Sequence, residues 1–425
     1  MTGQEAVAYI DTFQWQAHAP GLERIRTLLH ALGDPQKELK FVHVAGTNGK
    51  GSVCAYLASV LRCAGYRVGL CTSPFLEDFR ERIQVDGELI PPETLGELTE
   101  LARPAAEAME DHPTEFELIT AVAMLYFLRC RCDIVVLEVG LGGALDASNV
   151  IDVPEAAVIT AMGMDHAAIL GPTLGDIAAA KAGIIKPGGA VVSFGGCPEA
   201  DAVIRERCRE QGAQLTEVDF SRLRVVGTGL DGTDLEFAPY GALHVPLVGL
   251  YQAKNAAVAV TTVEVLEKRG WEISRRALEQ GLASVCWPGR LEVVRRAGPV
   301  ILRDGAHNAH GMAATVESLR ALFPGKKLTI LMGVMADKDV TGILTPILPL
   351  AKEFITVRAN LPRAMPAEEL AVRITALGGK AQAAPSIPDG VALAQSLAGE
   401  HGPVCALGTL YFSADVRQAL AEQSH

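Results

Sequence analysis

Gly46-Thr47-Asn48-Gly49-Lys50-Gly51-Ser52 sets one lysine among three glycines, directly after the apolar run Phe41–Ala45. Glycine backbones turn sharply and let N–H groups approach an anion, and a lysine adds a point charge for terminal phosphates. Val53, Tyr56, Leu57, Val60 and Leu61 then share a helical face that closes at Gly65, so a helix N-terminus points at the same anion. The spacing is not the common G-x-x-x-x-G-K-[ST]. Only two residues separate Gly46 from Gly49, and Gly51 splits Lys50 from Ser52. A turn without a ligand does not need that lysine, so a phosphate cradle is the favoured reading.

Other polar residues recur where strands should end. Glu138 closes the apolar run Ile134–Leu137, and a carboxylate there is costly to bury unless paired or metal-bound. Mg²⁺ takes one or two carboxylates plus phosphate oxygens, which favours a metal role over a surface acid. Ser73, in Thr72-Ser73-Pro74, is either an oxygen ligand or a turn residue. His166, after Asp165, reads by itself as a hydrogen-bonding loop residue. Lys181, the one charge in Ile177–Ile185, reads as a lysine complementing a helix C-terminus, with a modified or charge-paired lysine as the alternative. Further on come Gln252 and Asn255 on one helix face, Pro288-Gly289-Arg290, and a strand running into Asp304-Gly305-Ala306-His307-Asn308.

Apolar β-branched runs alternate with segments of helical periodicity. Strands are expected at 41–45, 67–71, 133–138, 156–162 and 191–194, and helices at about 52–64, 93–109, 116–129 and 173–182. Such alternation implies an α/β fold, with a P-loop-containing, doubly wound, mainly parallel sheet whose ligands sit beyond the carboxyl ends of the strands. Short strands at 223–248 suggest an antiparallel edge on that sheet. The pattern breaks at Trp287–Arg290 and restarts with strands at 300–303, 328–332, 354–357 and 404–407. Two domains follow: residues 1–292, carrying the phosphate turn, and a smaller Rossmann-like α/β domain, 293–425.

With 425 residues, 49% hydrophobic and 21% charged, the chain fits a globular protein too long for a single typical core. Its net charge of −12 argues against nonspecific nucleic-acid binding. No segment is long and apolar enough for a membrane span, and Met1–Gln16 lacks the basic start and apolar run of a signal peptide. The nine cysteines show no zinc spacing and read as buried thiols in a reducing compartment. A cytoplasmic protein without nucleic-acid or membrane partners is expected.

The ordered set GTNGKGS (46–52), TSP (72–74), LEVGLGG (137–143), MDH (164–166), AKAGIIKPG (180–188), PGR (288–290) and DGAHN (304–308) resembles the folylpolyglutamate synthase/dihydrofolate synthase family of the Mur ligase superfamily. The resemblance runs from Gly21-Leu22-Glu23-Arg24 to Leu407–Tyr411. It implies an ATP-dependent amide ligase that phosphorylates a pteroate or folyl carboxylate and lets the amine of L-glutamate displace the phosphate. It implies that Lys50 and the Gly46–Ser52 backbone hold phosphates, and that Ser73, Glu138 and His166 bind Mg²⁺, with room for a second divalent or monovalent cation. It implies that Lys181 is carbamylated; that Asn255, Arg290, Asp304 and His307 contact ATP, with His307 in a catalytic role; and that Phe116 and Asp146 lie on the pterin side. The partners implied are ATP, L-glutamate and dihydropteroate or a reduced folate, with the protein a monomer. Exclusion of water from the acyl phosphate is the expected use of domain closure.

Departures from the family pattern include Ala144 for an arginine, Phe75 in TSPHL, Tyr251 in HQxxN and Ala309 in AHNP. The ATP and metal positions are retained, and Ala144 and Phe75 bear on the pterin substrate. Two alternatives are a Mur-type ligase for another carboxylate and a nucleotide-binding regulator without catalysis. For a ligase of nucleotide-linked peptides a UDP-binding domain is expected ahead of the phosphate turn. Retention of Lys50, Glu138, His166, Lys181 and Asp304 argues against a regulator.

Overall fold

The computed structural model describes residues 1–13 and 20–422; part of the Met1–Gln16 stretch considered for a leader lies outside them. The chain forms two compact units, one of Met1–Phe220 with Asn255–Val285, the other of Ser221–Lys254 with Cys286–His425. The sequence drew a single break at 292/293. The compact units break instead near 220, within the helix Leu250–Lys268, and near 285.

The first unit is built on eight strands: β1 (Phe41–Ala45), β2 (Val68–Cys71), β3 (Ile83–Val85), β4 (Glu88–Leu89), β5 (Ile134–Glu138), β6 (Ala156–Ile159), β7 (Ala190–Ser193) and β8 (Gln214–Glu217). Their order is β4-β3-β2-β5-β1-β6-β7-β8. β1 lies between β5 and β6, parallel to both, with Val44 opposite Glu138 and Ala45 opposite Ile159. Every residue of β1 and of β5 is buried, which is why both read as mainly apolar runs, broken only by His43 in β1 and closed by Glu138 in β5. Phe41, Val135 and Leu137 pack with Leu28, Leu118, Val122 and Phe127 in one core. Ala45, Ala157, Ile159, Val191 and Ile204 belong to another. Parallel central strands bring the ends of β1, β2, β5 and β6 to one edge, as the sequence anticipated.

The antiparallel edge of this sheet is β3 with β4, paired across Asp86-Gly87. Both turn residues have positive φ, 55° and 88°, the signature of a two-residue hairpin turn. The sequence placed the antiparallel edge at 223–248. That expectation is corrected: β9 (Leu223–Gly229), β10 (Gly232–Phe237) and β11 (Gly241–Val245) form a separate three-stranded sheet in the second unit. Thr233 anchors it by donating to the carbonyls of Leu247 and Gly249.

The larger sheet of the second unit contains β12 (Glu292–Arg295), β13 (Ile301–Arg303), β14 (Leu328–Met332), β15 (Ala351–Thr356), β16 (Ala381–Ala383) and β17 (Val404–Leu407), in the order β12-β13-β17-β14-β15-β16. All pairs are parallel except β12 with β13. Leu302, Ile330, Cys405 and Leu407 face one core and Ile301, Leu331, Ile355 and Val404 the other, the alternation expected of a sheet covered by helices on both faces. Among the described residues no helix is long and apolar enough to cross a membrane.

Candidate functional site

In the first unit the phosphate turn leaves β1 at Gly46, whose φ is 148° and whose missing Cβ would run into the Thr160 hydroxyl. The turn is pinned to the segment after β6. The N–H groups of Thr47 and Asn48 both donate to the Ala161 carbonyl, at 3.0 and 3.1 Å. Thr160 Oγ1 donates to the Asn48 carbonyl at 2.8 Å, and Thr47 Oγ1 to that of Gly163 at 3.0 Å. Thr47 and Asn48 therefore spend their N–H groups on the fold. The first N–H groups of the helix Lys50–Cys63 also lie at the turn and have no intrahelical carbonyl to reach. Gly49 caps that helix with φ 89°, and a Cβ there would meet Asn255 Oδ1. Asn255 is thus held against the turn within the first unit, and a side chain at position 49 would separate them. Lys50 Nζ lies over the turn, 3.2 Å from the Gly46 carbonyl and 3.4 Å from that of Thr47.

Lys181 reaches the same turn from the helix Leu174–Ala182, with Nζ 2.8 Å from the Gly46 carbonyl. Burial, aided by Lys50 and opposed by Asp165 and Asp146, pushes its pKa down to about 7. Of the two readings the sequence offered, a lysine complementing the helix C-terminus and a modified or charge-paired lysine, burial disfavours the first: Lys181 is 6% exposed and faces inward. Near neutral pH much of it is an uncharged amine, the form able to add to carbon dioxide.

Glu138, 5% exposed at the end of β5, accepts from the Ser73 backbone N–H at 3.1 Å, so two of the three expected metal positions are adjacent. The third, His166, follows β6 in an exposed segment with φ 52° and has Nε2 3.8 Å from Asp165 Oδ2. Among the described residues there is no group of three or more His, Cys, Asp or Glu side chains that could hold a metal. A buried carboxylate, a hydroxyl and an imidazole are too few for a closed protein cage. They fit a hard cation that keeps most of its coordination for water and phosphate oxygens.

Phe116 and Asp146 meet around Gly140, where a Cβ would lie 2.8 Å from Phe116 Cζ and 3.2 Å from Asp146 Oδ2. The buried Asp146 carboxylate accepts from the backbone N–H of Leu141 at 2.8 Å and of Ser148 at 3.0 Å, and from the Ser148 hydroxyl at 2.5 Å. Burial raises its pKa while those hydrogen bonds oppose the rise. Ser148 Oγ is in turn 2.9 Å from Nε2 of His43, which is wholly buried in β1.

Burial, with a contribution from Lys186, depresses the His43 pKa to about 3. The unfolded chain therefore takes a proton near pH 6.5 that the folded chain refuses. The sign follows: the imidazole adds no penalty above pH 6.5, and stability is lost as pH falls from 6.5 toward 3. The loss is roughly 1.4 kcal/mol per pH unit, or about 2 kcal/mol at pH 5. Urea midpoints at pH 7.5 and 5 should show this difference between wild type and His43→Leu, with the variant losing less.

In the second unit Asp304 follows β13 and is a four-way tie. It accepts from Leu291 N at 2.8 Å, Tyr251 Oη at 3.1 Å, Ala306 N at 2.9 Å and Thr315 Oγ1 at 2.9 Å. Arg290 Nη1 reaches the Gly289 carbonyl at 3.1 Å and lies where a Cβ on Gly305 would project. His307 Nδ1 is 2.7 Å from the Gly305 carbonyl. Arg290, Asp304 and His307 therefore form one corner within this unit. Tyr251, a departure from the usual histidine, contributes to it through Asp304.

The sequence reading missed Thr160, Thr315 and the His43–Ser148 pair. His43 alone carried a signal, as the one polar side chain in an apolar strand.

Comparison with known proteins covers the whole length. The Mur ligase middle domain matches residues 44–263 and the Mur ligase glutamate ligase domain residues 289–410. The folylpolyglutamate synthase of Lacticaseibacillus casei is 38% identical over 438 aligned positions, covering 99% of each chain. The chain belongs to the folylpolyglutamate synthase/dihydrofolate synthase family. The dihydrofolate synthase/folylpolyglutamate synthase of Bacillus subtilis is 36% identical over 94% of this chain and 95% of its own. Among solved structures, Escherichia coli FolC in complex with DHPP and ADP superposes with a TM-score of 0.88 at 28% identity, over 100% of this chain and 99% of that one. As a member of this ligase family the protein is an ATP-dependent acid–amino-acid ligase of Mur architecture. Neither alternative raised by the sequence is favoured by these relatives.

Proposed function

We propose that the protein joins L-glutamate to dihydropteroate, to the glutamate chain of a reduced folate, or to both, through an acyl phosphate. One observation carries this reading: the Gly46–Ser52 turn, Lys50, Lys181 and the Glu138–Ser73 pair converge at the edge where Phe116 and Asp146 also meet. The relatives' names and the DHPP and ADP held by the Escherichia coli protein support the same substrates.

In this reading the first N–H groups of the helix Lys50–Cys63 and Lys50 Nζ hold the terminal phosphates of ATP, with Asn255 beside them. Arg290, Asp304 and His307 serve the nucleotide. Phe116 and Asp146 orient the pterin end. Glu138, Ser73 and His166 would hold Mg²⁺, which when bound neutralises charge on the phosphates. The protein's own share is positioning and charge stabilisation, the terms that dominate phosphoryl transfer. The substrate carboxylate attacks the γ-phosphorus and releases ADP. The glutamate amine then attacks the acyl carbon, and phosphate leaves. A cytosolic monomer suits these substrates.

Lys181 enters as a carbamate. Its neutral amine adds to carbon dioxide, a proton is lost, and the new anion faces Lys50. Carbon-13-labelled bicarbonate should give a carbamate resonance that vanishes in Lys181→Met, together with at least about 10²-fold in kcat. A variant retaining full activity removes Lys181 from the mechanism.

The direct test of the assignment is phosphate release from ATP with dihydropteroate and tetrahydrofolate assayed side by side. Release should require L-glutamate and at least one of the two acceptors. Nucleotide binding with no turnover on either acceptor contradicts the substrate assignment.

A further inference from the structure

His43 is the wholly buried polar side chain of an otherwise apolar central strand, and phosphate chemistry gives it no task. Its ring reaches the pterin-side carboxylate through one intermediate, with Nε2 2.9 Å from Ser148 Oγ and Ser148 Oγ 2.5 Å from Asp146 Oδ1. A serine hydroxyl has one proton to give. Spent on the Asp146 carboxylate, it leaves the Ser148 oxygen as an acceptor, and the His43 Nε2–H must donate to it. The tautomer is therefore set by the carboxylate two bonds away. His43 Nδ1 is buried with no hydrogen-bond partner, as suits a ring nitrogen carrying a lone pair rather than a proton. The opposite polarity would bury an unpaired N–H, the costlier orphan.

The arrangement spans three elements. His43 comes from the middle of β1, where it is opposite Leu137 of β5 and Ala157 of β6. Ser148 lies in the short turn Ala147–Val150, and Asp146 caps that turn. The backbone N–H groups of Leu141 and Ser148 would hold the carboxylate in place without help from His43. What His43 adds is direction: it pins the Ser148 hydroxyl proton on Oδ1. Oδ2, the oxygen that approaches the Gly140–Phe116 contact, then keeps its share of the negative charge.

We propose that His43 is a positioning residue that acts through Ser148 to orient the Asp146 carboxylate toward the pterin-bearing substrate. The inference rests on the substrate-side role given to Asp146 above. It predicts a change in the KM of one substrate, without contact between His43 and that substrate.

The test is a double-mutant cycle on the full-length enzyme, reading KM for the pterin-bearing acceptor, KM for ATP, kcat and Tm. Ser148→Ala should raise the acceptor KM by about tenfold, the order reached when a hydrogen bond to a charged group is lost, and His43→Leu, which removes the neutral bond behind it, by about threefold. KM for ATP should stay within about twofold. The double variant should be no worse than Ser148→Ala alone, since both break one chain. His43→Gln, whose amide N–H can occupy the place of Nε2–H, should restore the acceptor KM. Additive effects, equal rises in both KM values, or no rescue by glutamine overturn the proposal. Asp146→Asn separates the two claims. An unchanged acceptor KM there overturns the role of Asp146 and the proposal with it. A raised acceptor KM with a normal His43→Leu overturns the proposal alone.

Discussion

Lys50→Met is expected to lower kcat by roughly 10³-fold, the order lost when a preorganised charge aimed at the reacting phosphate is removed. In the structure Lys50 Nζ lies over the turn against the carbonyls of Gly46 and Thr47. Those two contacts are long and replaceable, so the fold should survive the change. The turn keeps its other ties, from Thr47 and Asn48 to Ala161 and from Thr160 to Asn48. Steady-state turnover with saturating ATP, together with a thermal melt, separates the two effects. A fall in Tm of many degrees alongside the lost activity would make Lys50 a structural residue. A variant with more than a tenth of wild-type kcat would remove it from the chemistry.

Glu138→Gln should cost about 10²- to 10³-fold in turnover and shift the Mg²⁺ concentration needed for half-maximal activity upward. The amide is nearly isosteric and can still accept from the Ser73 N–H through its oxygen, so the hydrogen bond at the end of β5 is preserved. What is lost is the negative charge. Replacing a buried charge by a neutral amide removes a desolvation cost, so the variant should be as stable as the wild type or more so. A Mg²⁺ titration of phosphate release is the measurement. Unchanged activity and an unchanged Mg²⁺ dependence would place the cation elsewhere. Lower stability with an unchanged Mg²⁺ dependence would make Glu138 a structural acid.

The parallel sheet was legible because its central strands are buried on both faces. Phe41–Ala45 and Ile134–Glu138 are short, mainly apolar and β-branched, the first running into the glycine-rich turn and the second ending in Glu138. The hairpin across Asp86-Gly87 was hidden because its strands are only three and two residues long, too short for a period of two to register. The sheet at 223–245 was correctly read as antiparallel strands. Its attachment was not, because the segment is tied to the second unit by residues far along the chain, Arg296 reaching Asp231 and Leu230, and Ser318 Oγ accepting from the Leu250 N–H.

The candidate site shows the same division. Lys50, Glu138 and Asp304 were visible as charges in apolar or glycine-rich surroundings. The donors to Asp304 come from Tyr251, Leu291, Ala306 and Thr315, which span 65 positions (251 to 315) and share no motif. Lys181 was read from its helix as a lysine complementing the helix C-terminus, with a modified or charge-paired lysine as the alternative. Only the fold reveals that its amine ends on the Gly46 carbonyl, 135 positions away.

The acyl phosphate is the centre of this account, and oxygen transfer tests it most directly. An acceptor whose reacting carboxylate carries oxygen-18 passes one labelled oxygen to phosphorus when the acyl phosphate forms. The second label stays in the amide carbonyl once the glutamate amine has attacked. Mass analysis of the released phosphate should therefore find one labelled oxygen per turnover. Phosphate free of label, with glutamate ligation proceeding normally, would contradict the mechanism.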